Sequence, residues 1–161
     1  MTASRRDIWA MILASGVLAS LFVLSFVATP VKFLAPDVPL THLLAVGRVT
    51  FRASLAIEVV FLIGLLLMAR GRVRWIVFGA AIILTFQWLI VMPRLDERTL
   101  ARIGGAEVAP SSLHHWWIGL DVVRLALYGF LLAALQNRFV SRHANDGQVV
   151  DPGASGLDTT G

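Results

Sequence analysis

The stretch Ser112 to Asn137 constrains this chain more than any other. It is built mostly from Leu, Ala, Val, Trp and Phe, and it exceeds the about 20 residues that a helix needs to cross the hydrocarbon of a bilayer. Yet it also carries His114, Trp117, Asp121, Arg124 and Tyr128. At about 100° per residue these five fall within an arc of roughly 80°. Ionisable residues in a membrane helix are costly and face the interior of a bundle. One face of this helix therefore demands polar partners, and the rest of the chain must supply them.

Composition sets the class. Of the 161 residues, 57% are hydrophobic and only 15% charged, against about 45–50% and about 25% in a soluble domain. The lack of cysteine excludes disulfides, thiolate metal sites and cysteine nucleophiles. The formal net charge of +4 does not point to nucleic acid. The arginines sit at the edges of apolar stretches or inside them, rather than in one exposed patch.

Three further stretches are long enough to span. Arg5, Arg6 and Asp7 precede an apolar run to Ala28. That run is longer than the about 7–15 residues of a signal-peptide core, so it reads as an uncleaved first helix. Gly16 and Ser20 give it a small face for close packing. Thr29-Pro30 is expected to end it. A second helix is expected from the cap Thr41 to Ala69, followed by the basic turn Arg70-Gly71-Arg72-Val73-Arg74. A third is expected from Trp75, closed by Pro93 and followed by a polar loop from Arg94 to Pro110. Ser111 or Ser112 caps the fourth. The expected organisation is an all-α integral membrane four-helix bundle over residues 1–138, with transmembrane helices near 8–29, 41–69, 75–93 and 112–137. The polar tail 139–161 has too little apolar content to fold alone and is expected to be a disordered cytoplasmic segment.

Arginine and lysine set the expected orientation. Arg5, Arg6, Arg70, Arg72, Arg74, Arg138 and Arg142 flank one side; Lys32, Arg94, Arg98 and Arg102 flank the other. The bias places both termini in the cytoplasm of a cell whose inner membrane holds the chain, with His42, His114 and His115 near the outer face.

The second helix carries Arg48, Arg52 and Glu58, and the third carries Gln87. Arg48 and Arg52 share a helix face, so the pair needs an anion or acceptors. Asp121 matches their depth and is the expected partner. Glu58 lies deeper, opposite Arg124, but about 120° from Arg52 in helical phase, so that contact is the weaker expectation. Tyr128 closes the deep end. A structural salt-bridge network and a pathway for an anion, proton or ligand are both consistent with these residues. His42 and His114 are candidates for haem or metal ligation; interfacial histidines are the plainer alternative. Asp96, Glu97, Arg98 and Arg102 read as a solvated loop. No serine, lysine or threonine has the setting of a nucleophile, and no glycine-rich phosphate loop is present.

Three segments carry a resemblance: Phe26 to Phe33, Pro93 to Thr99, and Ser112 to Trp116 running into Asp121. In that order they resemble the four-helix membrane family of unknown function that includes animal transmembrane protein 205. Bacterial copper-resistance membrane domains are a more distant likeness. The resemblance implies a role in membrane transport or stress resistance and supplies no catalytic residues. The chain departs from it in lacking cysteine and in having two arginines in the second helix. The expected protein is non-enzymatic, with a polar pocket between helices 2 and 4 opening outward. It would bind or conduct a small solute or act as an accessory subunit, in contact with the lipid bilayer and with copies of itself or other membrane partners. The alternative is a haem- or metal-binding protein using His42 and His114.

Overall fold

The computed structural model describes residues 2–148, with side chains over 5–141. Its architecture is all-α. Four helices among the described residues are long and apolar enough to cross a membrane: α1 (Arg5–Leu34), α2 (Leu40–Met68), α3 (Arg72–Ile103) and α4 (Leu113–Ser141). Each buries one stripe at helical spacing. α1 buries Ala10, Ala14, Val17 and Leu21; α2 buries Leu55, Glu58, Leu62 and Leu65. α3 buries Val73, Val77, Ala80, Leu84 and Gln87; α4 buries Trp117, Asp121, Arg124, Tyr128, Leu131 and Leu135. The opposite faces carry exposed Val60, Trp75, Ile82, Leu89 and Phe130. Apolar residues outside and charged residues inside form a pattern suited to lipid rather than water.

The helices form a ring. α1 packs against α2 and α4, and α3 packs against the same two, so α2 and α4 face each other across the bundle. Close approach of α1 and α2 depends on glycine. A Cβ on Gly16 would lie 2.7 Å from the Phe61 ring, and one on Gly64 would lie 3.0 Å from Leu13. Dispersion and fit drive helix association in lipid, where apolar side chains gain little from leaving the solvent. Ser20 turns back to its own helix, bonding to the Val17 carbonyl.

Helix ends are satisfied by named groups. Ser111 Oγ accepts from the Leu113 amide at 3.2 Å and caps α4. α2 starts at Leu40, after Pro39, and not at a Thr41 cap. At the other end, Arg6 donates to the Leu67 carbonyl and Arg138 to the Arg70 carbonyl. The first covers a carbonyl of the last α2 turn and the second a carbonyl of the turn that follows it. Gly71 makes the turn into α3 at φ +60°, ψ −142°, a combination that glycine adopts readily.

Three further expected boundaries are corrected. Pro30 does not end α1: a π-helical segment, Val23–Ala28, leads into Thr29–Val31 and then a 3₁₀ turn, Lys32–Leu34. Pro93 does not end α3: the π segment Gln87–Val91 leads into a helix from Met92 to Ile103. The physical reason is the same in both. Proline lacks an N–H and crowds the carbonyl four residues earlier; a wider π turn just upstream relieves this. Met92 N–H bonds to the Gln87 carbonyl, five residues back, and Thr29 Oγ1 donates to the Leu24 carbonyl at 2.8 Å. The expected loop 94–110 is therefore mostly helix. The third correction is the tail: the last helix runs on to Gln148. An established helix extends at little cost per residue. The remainder of the expected disordered segment, 149–161, lies outside the described residues.

Candidate functional site

Two polar clusters lie along the bundle axis. The deeper one joins α2, α3 and α4. Glu58, Gln87, Asp121, Arg124 and Tyr128 are each exposed by no more than 2%. Helical spacing puts Asp121, Arg124 and Tyr128 on one face of α4, and the long Arg124 side chain crosses to α2. Its Nη1 donates to Glu58 Oε2, and its Nη2 to Asp121 Oδ1. Tyr128 Oη donates to Glu58 Oε1 at 2.6 Å. From α3, Gln87 Nε2 donates to Asp121 Oδ1 at 2.9 Å and to the Trp117 carbonyl at 3.3 Å. The π segment begins at Gln87, and the extra residue in its turn lets Gln87, Val91 and Met92 all face inward. Three buried atoms among the described residues have no partner: Gln87 Oε1, Trp117 Nε1 and Arg124 Nε.

The second cluster lies at the end of the bundle away from the termini. A cavity of about 430 Å³ is lined there by Lys32 of α1, Arg48 and Phe51 of α2, Met92, Asp96, Arg98 and Arg102 of α3, and His114 of α4. Both π segments immediately precede the lining residues on α1 and α3, so each shift of helical register sets which side chains reach the cavity. Asp96 holds Arg48 through both oxygens and takes Arg52 Nη2 at 2.6 Å. Lys32 has no carboxylate partner among the described residues. Its Nζ lies 5.0 Å from the Phe33 ring centroid and 5.4 Å from that of Phe51, both cation–π distances. Gly47 leaves the room that Nζ occupies. Arg98 and Arg102 donate to the carbonyls of Ala109 and Val108 and tie down the segment that walls the cavity.

The two clusters are close in depth. Glu58 is seven residues beyond Phe51 and Asp121 seven beyond His114, about 10 Å along each helix. Between them the Phe51 and Trp117 rings meet at 5.3 Å, tilted by 59°.

The sequence expectations divide accordingly. Glu58, Gln87, Asp121, Arg124 and Tyr128 do form one buried network. The expected pairing of Asp121 with Arg48 and Arg52 is corrected: Asp121 pairs with Arg124 in its own helix, and Asp96 takes both α2 arginines. The weaker expectation, Glu58 with Arg124, is the contact that forms. Depth alone misled, because α2 and α4 lie across the ring, beyond reach of each other's shorter side chains. The cavity is lined by α1, α3 and the segment before α4 as well as by α2 and the first residues of α4, Leu113 and His114. Asp96 was missed because Pro93 placed it in a loop. The signal present was its spacing from Met92, Leu95 and Thr99 on one helical face. Of the candidate haem or metal ligands, His114 lines the cavity and His42 does not; His42 is exposed on α2. No group of three or more metal-ligating side chains occurs among the described residues. Trp117 is buried, whereas Trp9, Trp75 and Trp116 are exposed. Compared with known proteins, the chain matches no family model, no curated protein and no solved structure.

Proposed function

We propose that this chain is a non-enzymatic multi-pass membrane protein that receives a small anionic solute in the cavity at its loop end. One observation carries the reading: Lys32, Arg48, Arg98 and Arg102 line a single cavity whose lining includes one carboxylate, Asp96. Asp96 already serves two guanidinium groups, and Lys32 is left for a ligand. The volume of about 430 Å³ falls within the range of about 300–1,000 Å³ typical of small-molecule sites. Phe33, Leu44, Phe51 and Leu95 supply apolar wall. The resemblance to a membrane family with an implied transport role points the same way.

The arginine bias supports an inner-membrane location with both termini cytoplasmic. The cavity then opens outward. A reporter fused after Gly161 should be active in the cytoplasm, and one inserted between residues 104 and 112 should report from outside. The reverse in both constructs overturns this orientation.

Binding is tested with the purified chain in detergent at low ionic strength, using radiolabelled phosphate, sulfate and acetate. Saturable binding of at least one anion is expected. Lys32→Gln should weaken it at least about fivefold, the scale of one unit charge at about 4 Å in a water-like medium. Absence of saturable binding for all three, or an affinity unchanged by Lys32→Gln, overturns the reading.

A further inference from the structure

The charges at mid-bundle do not sum to zero. Glu58 and Asp121 are two carboxylates on one guanidinium, Arg124. The elements around them add no compensating group. α1 contributes Ala10, Ala14, Val17 and Leu21 to the core; α2 contributes Glu58; α3 contributes Gln87; α4 contributes Trp117 and Tyr128 besides Asp121 and Arg124. Arg124 is the one positively charged side chain among the buried, described residues. A surplus negative charge is costly in so dry a place, and a buried acid relieves it by taking up a proton.

Hydrogen bonding selects the acid. Both oxygens of Glu58 already accept, from Tyr128 and from Arg124. Asp121 Oδ1 accepts from Arg124 and from Gln87 Nε2. Gln87 Oε1, on the same amide, is buried and receives no donor. Turning the amide over does not help. It would set the amide oxygen against Asp121 Oδ1 and the Trp117 carbonyl, which are both acceptors. A carboxylic acid meets a primary amide through two parallel bonds, amide N–H to acid C=O and acid O–H to amide C=O. The first of these is present.

We propose that the bundle centre is a proton-binding site in which Asp121 carries one proton on Oδ2 and donates it to Gln87 Oε1. The trio is then neutral: Glu58 is ionised, Arg124 is its counter-ion and Asp121 is a neutral acid. The orphaned acceptor gains its donor. This rests on the buried network and is independent of the anion cavity.

Infrared spectroscopy of the full chain in lipid at neutral pH tests it. The expected result is the C=O stretch of a protonated carboxylic acid. It should shift in D₂O, shift in protein made with carboxyl-¹³C aspartate, and stay put with carboxyl-¹³C glutamate. Asp121→Asn should abolish it. Glu58→Gln should also abolish it, because Arg124 then balances Asp121 alone. No acid band in the wild type, a band that follows the glutamate label, or a band that survives Glu58→Gln overturns the proposal. The isotope labels need no substitution, so they decide the matter even where a variant fails to fold.

Discussion

Arg124 and Arg48 both rise from a transmembrane helix to meet a carboxylate, and they do so under opposite conditions. The Arg124 side chain is 1% exposed; those of Arg48 and Arg52 are 28% and 57% exposed. Around Arg124, side chains from three helices close on one another, and negative charge is in excess. Around Arg48, one carboxylate serves two arginines, and Lys32, Arg98 and Arg102 add more positive charge than Asp96 balances. The difference teaches that depth decides which imbalance a bundle tolerates. Where water and headgroups reach, spare positive charge is cheap and available to a ligand. Where they do not, each charge must be matched, or removed by a proton.

The comparison breaks most sharply at Arg124. Replacing it with Leu strands Glu58 and Asp121 in the core. Removing one side of a buried ion pair costs about 3–5 kcal/mol, so Arg124→Leu should lower stability by that order in unfolding measurements in bicelles. Adding Glu58→Gln and Asp121→Asn should restore part of the loss, since no lone charge remains. A loss well below 1 kcal/mol for Arg124→Leu would mean that water enters the centre and that the two clusters are alike.

A smaller effect sharpens the same contrast. Tyr128→Phe deletes the hydroxyl that donates to Glu58 at 2.6 Å and leaves the ring packed. The loss should be about 1.5 kcal/mol, as for a hydrogen bond to a charged group. A double-mutant cycle of Tyr128→Phe with Glu58→Gln measures the coupling. No coupling would place the Tyr128 hydroxyl on another acceptor.

The smallest stability change is expected at the cavity. Asp96→Asn should lower stability less than either change at the centre, because its partners Arg48 and Arg52 remain partly exposed, with side chains 28% and 57% accessible. The same variant should tighten anion binding about fivefold, the scale of one unit charge at about 4 Å in a water-like medium. Raising salt to about 1 M shortens the screening length to about 3 Å. It should weaken anion binding and leave the stability of the buried network unchanged. Binding that is insensitive to Asp96→Asn and to salt would remove the cavity's charge from the account.

Much of this was visible in the chain itself. The number of spans follows from hydropathy alone, because a helix must satisfy its own backbone in lipid. The inward face of α4 follows from the spacing of Trp117, Asp121, Arg124 and Tyr128, which helical geometry places on one side. The burial of Glu58, Gln87, Asp121, Arg124 and Tyr128 follows from the cost of placing such groups against lipid, though the same rule also admits Arg48 and Arg52, which lie in the other cluster. These are properties of one helix at a time.

Which group meets which is a property of the assembly, and there the chain alone misleads. Arg48 and Asp121 match in depth, yet they do not meet, because α2 and α4 face each other across the ring. From α4 it is the long side chains of Arg124 and Tyr128 that cross to Glu58. Asp96 becomes a partner only because the π turn at Gln87–Val91 carries α3 past Pro93. Sequence rules treat that proline as a stop, since they score the hydrogen bond it lacks and not the wider turn that accommodates it. Local physics determined the helices and their polar faces; the ring order and the two register shifts, which depend on how whole helices pack, decided the pairs, the cavity and the surplus charge at the centre.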